Sequence, residues 1–594
     1  MKRYSRRILT GVILSICLLM PLMAFQYFYI DYVNHTWLTE YYAQYFKYNL
    51  RFPAVIHTQE VVGIAYPQFY GYLFYPVMGF LSLLTGSTKA AYILCSAVSY
   101  TMIFLIYSEI FIQMSAKAGI RMKQSDSGVM AFLIICNPYI LTNLYSRNAM
   151  TEYYALLGMY ITVGSWILSF FKEQMEVKWM LWSLSALSFM FMLGSHPITA
   201  ELGGIVCICM VLVTLPWQFR QIKLKEGIFM FLFGGGVEML LIVLAVSPWL
   251  YITVCSISEL AVNAGAGIET NIAPFLGSNY LTRLMLFPMD ARSLTDGILN
   301  VSTPYLDLQM NMPLVILYMV SWVWIIRSGK IIRRQKWAAF VLLLLGVLTL
   351  ICTSTVSSPA LNVIGRIFRH IQFSYRLIGY ADLFVVFGIL YNFWVLVRSG
   401  CFREYEKYFA MILIICVTLG AHNLLIQMTH AYATANQTVV ETEPFTNLPA
   451  TFYGVSGYCD TSIPSIKEDP PEEWLEVNVP VYTDGHTLRT EFKADKKMFV
   501  RTNIQSARYN EIYVDGVRLD RDVVMEFDGY LGFYADAGTH VMDYAAEFPY
   551  MFLILRKLSY VSVFLLVFLT VFFWIRAFCM HKRGKRPEIP EKKR

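Results

Sequence analysis

The stretch IDYVNHTWLTEYYAQYFKYNLRFP (residues 30–53), followed by GIAYPQFYGYLFYP (residues 63–76), decides how the rest of the chain is organised. It comes directly after an apolar run from about Ile8 to Ile30, which is long enough to span a hydrocarbon core of about 30 Å. Asp31 and His35 are thereby predicted to lie where a hydrophobic helix leaves the bilayer. An acid at such a boundary is a functional candidate by default, although a helix end that dips into water would also carry one.

The composition of the chain indicates a polytopic α-helical membrane protein. Of the 594 residues, 57% are hydrophobic and 16% aromatic, which excludes a soluble globular chain. The net charge of +7 does not indicate nucleic-acid binding, because the basic residues occur in short clusters between apolar runs, as the positive-inside rule requires. The 11 cysteines lie mostly inside apolar runs and lack the spacing of a disulfide framework or a zinc site.

The apolar runs predict about twelve transmembrane helices, with both termini in the cytoplasm and the first run kept as a signal anchor. The spans are expected at residues 8–30, 90–114, 129–144, 154–171, 179–193, 198–216, 227–250, 311–326, 337–353, 377–397, 408–427 and 551–578. A shorter run from Tyr70 to about Leu84 is predicted to be juxtamembrane or re-entrant. A full crossing there would place the basic cluster Lys117, Arg121 and Lys123 outside, against the charge rule.

Three segments follow from this topology. A transmembrane module covers residues 1–428, with a first outer loop at 31–70 and a long outer loop at 251–310. The length of the second loop indicates a lid or an acceptor-binding element, with a disordered connector as the alternative. An extracytoplasmic β-rich domain is predicted at 429–550, and residues 551–594 form the last span and a basic cytoplasmic tail.

The outer domain is predicted to be a small β-sandwich. Its sequence alternates apolar and polar residues, and it contains Asp515-Gly516 and Asp528-Gly529, which are signals for tight hairpin turns. Structural support and guidance of a polymeric acceptor are both compatible with such a domain.

With the topology set, the remaining ionisable residues near the membrane collect on the outer face. They come from four connections: Asp31 and His35; Arg147 and Glu152; His196; and Arg366, Arg369, His370 and Arg376. Charges placed only to satisfy topology would favour the inner face, so an outer group rich in arginine is the more informative pattern.

Each of these groups has a functional interpretation and a structural one. Asp31 and His35 are four residues apart, so a continuing helix would let Asp31 orient the imidazole or act as a base itself. The arginine forks suit phosphate oxygens. In the structural interpretations, Arg366 and Arg369 contact lipid headgroups, Arg147 pairs with Glu152 across a loop, and His196 caps a helix.

Several motifs occur in one order over about residues 1–400: D-x-x-x-H, R-F-P, YGYLFYP, N-P-Y-x-x-x-N-x-Y-x-R-x-A-x-x-E, H-P-I-T-A and I-Q-F-x-Y-R. This order resembles the bacterial membrane proteins labelled 6-pyruvoyl-tetrahydropterin-synthase-related, which are similar to GT-C glycosyltransferases and to YfhO-type proteins. The outer domain resembles the C-terminal β-domain of YfhO-type proteins. One departure concerns the last motif, where Ser374 and Tyr375 replace the proline and tryptophan common in the family.

The resemblance implies a GT-C-like enzyme in the cytoplasmic membrane. It would move a sugar from a polyprenyl-phosphate donor to a cell-envelope glycan or glycolipid outside the membrane, by an inverting displacement. Asp31 stands where these enzymes carry a catalytic acid, and Glu152 is expected to be a second catalytic carboxylate. The substrate-binding residues are then expected to be His35, Arg147, His196, Arg366, Arg369, His370 and Arg376.

No cofactor is expected to be required. Some GT-C enzymes use a divalent cation, but this chain has no aspartate pair at D-x-D spacing in its outer loops. Two other functions are compatible with the same pattern: a flippase or transporter of lipid-linked saccharides, and a non-catalytic membrane protein for envelope assembly. A transporter would place ionisable residues near the membrane midplane, whereas a scaffold would tolerate Asp31→Asn.

Overall fold

The computed structural model describes residues 2–24, 30–145, 147–221, 225–256, 260–261, 310–352, 374–434, 459–460, 462–466 and 470–583. Helices make up most of these residues. In chain order they are α1 (Lys2–Ala24), α2 (Ile30–Asn49), α3 (Tyr66–Phe69), α4 (Phe74–Thr85), α5 (Thr88–Lys117), α6 (Gln124–Ile135), α7 (Pro138–Tyr145), α8 (Met150–Ser169), α9 (Met175–Ser195), α10 (Pro197–Gln221), α11 (Lys225–Ser256), α12 (Met312–Arg327), α13 (Arg333–Ile351), α14 (Ile378–Arg398), α15 (Phe402–Thr434) and α16 (Tyr550–Arg583).

The apolar helices confirm a multi-pass membrane protein. Within the described ranges, nine helices are long and apolar enough to cross a membrane, and the number becomes ten if α6 and α7 form one bent span. These two helices meet at 50°, at the position where the sequence predicts a single straight span. Pro138 causes the break, because proline lacks an N–H and disfavours helical geometry in the residue before it. The other predicted spans also lie largely on helices, but two of these helices are not among the candidate spans: α8, and α12 with only 16 residues.

The opening stretch forms the helix α2. The helix α1 ends at Ala24 and α2 begins at Ile30, so Asp31 lies in the first turn of α2. A carboxylate there is favoured by the positive end of the helix dipole. The helix buries Trp37 and Tyr41 completely and packs against α4. Asp31 and His35 therefore share one helix, as the sequence predicts.

The C-terminal strands form a sandwich of two four-stranded sheets, with orders β4-β10-β6-β7 and β3-β5-β9-β8. The strands are β1 (Leu260–Ala261), β2 (Cys459–Asp460), β3 (Trp474–Val477), β4 (Thr490–Ala494), β5 (Met498–Gln505), β6 (Asn510–Val514), β7 (Val517–Arg518), β8 (Val524–Phe527), β9 (Tyr530–Ala535) and β10 (Gly538–Ala546). Both sheets contribute to one apolar core, which includes Phe492, Val500, Phe533 and Met542. The predicted β-rich domain is present, and α15 continues to Thr434 before it.

Two hairpins of the sandwich turn where the sequence predicts. Asp515 and Gly516 have φ values of 53° and 80° between β6 and β7. Asp528 and Gly529 have φ values of 53° and 86° between β8 and β9. Positive φ at both central residues matches the right-handed twist of the flanking strands, and aspartate followed by glycine tolerates it best.

The first outer loop is built into the sandwich. Val62 forms a parallel bridge with Ile504, is fully buried and belongs to the sandwich core. The Asn510 side chain donates to the Gly63 carbonyl at 2.8 Å, and the Ala65 N–H donates to the Gln505 side chain at 2.9 Å. Strand β1, at the start of the long outer loop, pairs with β2. The domain that follows the membrane module in sequence therefore holds the loop that follows α2.

Candidate functional site

Glu152 is the centre of a buried polar cluster at the start of α8. Its Oε2 accepts from Nη1 of Arg147 at 3.0 Å and from Nε of Arg376 at 3.2 Å. Its Oε1 accepts from the Tyr139 hydroxyl at 2.6 Å. All four side chains are buried, so both guanidinium groups have lost most of their water, and this carboxylate compensates part of their positive charge. The structure thus brings together three residues that the sequence predicts in two separate motifs.

The turn between α7 and α8 sets the position of Arg147. Asn148 has φ of 54°, a left-handed conformation that asparagine tolerates better than most residues. Its side-chain amide donates to the Leu144 carbonyl at the end of α7. Arg147 donates its backbone N–H to the Thr142 carbonyl at 2.8 Å and its Nη1 to the Asn143 side chain at 2.6 Å. The helix α7 therefore fixes both the backbone and the guanidinium of Arg147.

Arg376 reaches the cluster from the other end of the sequence. It lies in a 3₁₀ turn, Ser374–Leu377, directly before α14, and it is separated from Glu152 by 224 residues. The predicted phosphate-binding residues that precede it, Arg366, Arg369 and His370, lie outside the described residues. Their prediction therefore stays untested, whereas Arg376 joins the same acid as Arg147.

Asp31 lies within the electrostatic field of this cluster but is not paired in it. Burial raises the pKa of its carboxyl, while the positive charges of Arg147 and Arg376 lower it and the negative charge of Glu152 raises it further. Among the residues that the structure describes, Asp31 makes no hydrogen bond and no ion pair. A carboxylate near two guanidinium groups, yet not bound to either, keeps its oxygens available to accept a proton.

His35 is held by tyrosines rather than by Asp31. Its Nδ1 contacts the Tyr75 hydroxyl at 2.8 Å, and its ring stacks near that of Tyr70, with centroids 6.3 Å apart. Burial, with a smaller effect of Arg147, lowers the pKa of this imidazole to about 3, so the ring is neutral at physiological pH. The suggestion that Asp31 orients the imidazole is therefore wrong within the described structure, because Tyr75 does so.

His196 caps α10. Its Nδ1 accepts the backbone N–H of Thr199 at 3.3 Å and contacts the hydroxyl of the same residue at 3.0 Å. This satisfies one of the N–H groups that a helix start leaves free. The cavity beside the imidazole has about 10 Å³, roughly room for one water and too little for a sugar ring. The capping role of His196 is thus observed, while its role in substrate binding stays a prediction.

Tyrosines in the YGYLFYP stretch connect the parts of the site. Tyr70 shares a hydrogen bond of 2.6 Å with Thr151, next to Glu152, and its ring lies edge-on to His196 with centroids 5.8 Å apart. It also stacks near His35. The sequence motif marks this stretch, but only the fold shows that Tyr70 lies between the two histidines.

Two further buried acids are not predicted by the motifs. Asp382 of α14 accepts from the side chain of Asn137 and from the backbone N–H of Asn311, both at 2.9 Å, which ties the α6–α7 break to α12 and α14. Glu238 lies well inside α11 and accepts a hydrogen bond from Ser183 of α9. Neither acid forms an ion pair among the described residues. Both stand in apolar helices, where an acid is costly and calls for an explanation.

The described residues contain no group of three or more His, Cys, Asp or Glu side chains that could hold a metal ion. That the reaction requires no metal ion stays a prediction. Comparisons with protein-family models, with curated proteins and with solved structures give no match to this chain.

Proposed function

We propose that the chain is an integral-membrane glycosyltransferase of the cytoplasmic membrane. It would move a sugar from a polyprenyl-phosphate donor to a cell-envelope acceptor on the outer side. The charge rule places α2 and the sandwich outside, with both termini in the cytoplasm, and the order of motifs resembles the GT-C group. The observation that carries the proposal is the arrangement around Glu152: two buried guanidinium groups lie near the carboxylate of Asp31, which has no ion pair with any described residue.

The reaction is a single displacement at the anomeric carbon. The Asp31 carboxylate takes the proton of the acceptor hydroxyl while the acceptor oxygen forms a bond to that carbon. The bond from carbon to the phosphate oxygen breaks, and its electron pair leaves with the polyprenyl phosphate. Attack and departure occur on opposite faces of the sugar, so the configuration inverts.

Arg147 and Arg376 stabilise the departing phosphate. A guanidinium has five N–H donors, which suit several phosphate oxygens at once. In the structure, Nη1 of Arg147 and Nε of Arg376 donate to Glu152, and Nη1 of Arg147 also donates to Asn143. Donors fixed in advance toward a developing negative charge lower the barrier most effectively in a site without water. Glu152 is then a residue that positions the guanidinium groups of Arg147 and Arg376, in place of the catalytic role expected from the motif.

The test is transfer by the purified full chain in lipid nanodiscs, with a panel of polyprenyl-phosphate sugars. Wild type should transfer, Asp31→Asn should lose about 10²–10⁴-fold in rate, and Arg376→Ala should lose at least as much as one oxyanion donor, about 10²-fold. Transfer by Asp31→Asn at the wild-type rate would overturn the assignment of the base. Absence of transfer from every donor would overturn the proposed activity.

One observation favours a second candidate, a flippase or transporter of lipid-linked saccharides. Glu238 lies deep in a candidate span and pairs only with a serine among the described residues, as proton-coupled transporters require of a midplane acid. Translocation of a fluorescent lipid-linked saccharide in proteoliposomes decides between them. A flippase should respond to Glu238→Gln and not to Asp31→Asn, and a transferase should show the reverse.

A further inference from the structure

The outward face of the sheet β3-β5-β9-β8 carries a row of aromatic rings. Trp474, Phe499 and Tyr534 are in register across β3, β5 and β9, so their side chains point to the same face. The opposite face supplies Val500, Leu531 and other residues of the sandwich core. An aromatic row on the outside is therefore not needed to bury the core, and it calls for another explanation.

Two rings of this row are exposed, and they pack on two buried rings, the third ring of the row and Phe527 of β8. Trp474 is 41% exposed and Tyr534 is 49% exposed, whereas Phe499 and Phe527 are buried. The Trp474 ring packs edge-on against Phe527 at 5.2 Å, and Tyr534 packs against Phe499 at 5.3 Å. The buried phenylalanines fix the two exposed rings, which reduces the entropy lost when a ligand stacks on them.

Polar groups occupy the next row of the same face. Glu476, Arg501 and Gly532 are in register, and Nη1 of Arg501 donates to Glu476 at 3.0 Å. The guanidinium lies over the Tyr530 ring at 4.9 Å. A side chain at Gly532 would meet the Phe499 ring at 2.2 Å, so this position must stay bare, which keeps the face flat between the rings.

The charges of this face cancel one another. Besides Arg501 and Glu476, Lys496 pairs with Glu473 at 2.7 Å and Lys497 pairs with Asp536 at 3.7 Å. Because each cation is next to an acid, the face offers no net field to a polyanion such as nucleic acid or a phosphate-rich polymer. It offers flat rings with hydrogen-bonding groups beside them, which suits an uncharged ligand rich in hydroxyl groups.

The face continues toward the candidate site. Tyr530, at one end, packs against the core of the membrane module. Beyond Arg501 the register of β5 shifts, and there the Asn503 side chain donates to the carbonyl of Gln59 in the first outer loop at 3.2 Å. A ligand chain lying along this face would therefore run toward the loop that follows α2, and α2 is the helix that carries Asp31.

We propose that this face, defined by Trp474, Tyr534, Glu476 and Arg501, binds a neutral glycan chain. The C–H faces of the sugar rings stack on Trp474 and Tyr534, and the hydroxyl groups exchange hydrogen bonds with Glu476 and Arg501. That this glycan is the acceptor rests on the proposed function; that the face binds a neutral glycan does not.

The experiment measures binding to the full chain in nanodiscs by isothermal titration. The probes are neutral hexose and N-acetylhexosamine oligosaccharides, with an anionic uronic acid oligomer for comparison. Wild type should bind at least one neutral glycan and bind it better than the anionic one. Trp474→Ala and Tyr534→Ala should each weaken binding by up to about tenfold. The matched control is Tyr482→Ala, because Tyr482 is an exposed tyrosine, 53% accessible, outside this face.

Four results would overturn the inference: no binding of any neutral glycan, equal binding by the Trp474 and control variants, preference for the anionic oligomer, or self-association of the chain that Trp474→Ala abolishes. Transfer assays on the same samples separate this inference from the proposed function. If Asp31→Asn binds glycan but cannot transfer, both stand. Glycan binding without transfer from any donor would support the binding face and refute the proposed transferase activity. Transfer without binding that depends on Trp474 would support the activity and refute the binding face.

Discussion

Glu152→Gln is the most informative single change in this chain. Glutamine has the shape of glutamate, and its amide can still accept from the two arginines through its oxygen while its nitrogen faces the Tyr139 hydroxyl. The number of hydrogen bonds is thereby kept and only the negative charge is lost. The substitution therefore tests whether the burial of Arg147 and Arg376 depends on the negative charge of Glu152.

The expected loss is large because both arginines are buried. Removing one partner of a buried ion pair costs about 3–5 kcal/mol, since the remaining charge has no compensation. Here one oxygen serves both arginines, at 3.0 Å and 3.2 Å. We expect Glu152→Gln to lower the free energy of unfolding by about 3–5 kcal/mol.

The assay is reversible unfolding of the full chain in mixed micelles as the fraction of denaturing detergent rises. Arg147→Gln combined with Glu152→Gln serves as the internal control. The double variant removes one charge of each sign, so it should recover part of the stability lost in Glu152→Gln. Asp31→Asn is the matched control for loss of a carboxylate, and it should change stability by less than about 1 kcal/mol because Asp31 has no ion pair in the described structure.

Two results would refute this reasoning. A loss below about 1 kcal/mol in Glu152→Gln would mean that the arginines find compensation elsewhere, with Asp31 as the nearest alternative. Equal losses in the single and double variants would mean that Arg147 and Glu152 are not coupled. In either case Glu152 would no longer be the residue that positions Arg147 and Arg376 for the departing phosphate.

The remaining predictions concern four other sites. Because burial raises the pKa of Asp31, the transfer rate should fall with decreasing pH already above the usual range of a carboxyl group, as a pH–rate profile would show; a limb in the usual range would contradict this. Asp382→Ala should cost about 2–6 kcal/mol in the same unfolding assay, because it leaves two buried N–H donors without their acceptor, whereas Asp382→Asn should cost less. Gly63→Ala should loosen the first outer loop and speed its proteolysis, because φ is 77° and a Cβ would lie 2.4 Å from a sandwich side chain; unchanged cleavage would argue against it. The hydrogen bond from His540 lowers the pKa of Asp515, and Asp515 in turn raises the pKa of His540. Stability from this pair is lost as pH rises through the raised pKa of His540 and as pH falls through the lowered pKa of Asp515, so Asp515→Asn, which tolerates the turn, should flatten the pH dependence of thermal unfolding of the sandwich.

Local patterns in the sequence predict much of the fold, because hydrophobic length and turn chemistry act over a few residues. The hairpins at Asp515 and Asp528 follow from the need for positive φ at two adjacent positions. The break between α6 and α7 also has a local cause in Pro138, but the length of the apolar run concealed it.

The candidate site is predicted only in part, for a physical reason. The sequence alone determines that this is a multi-pass membrane chain with a β-rich domain, and its motifs mark Asp31, Arg147, Glu152 and Arg376 as residues to explain. Tertiary structure decides which of them meet: one carboxylate pairs with two arginines that stand 229 positions apart in the chain, while Asp31 nearby has no ion pair within the described ranges. The free energy of burying apolar surface depends little on which residues meet. The free energy of burying a charge depends on the identity and distance of its partner, and only the packed chain fixes both.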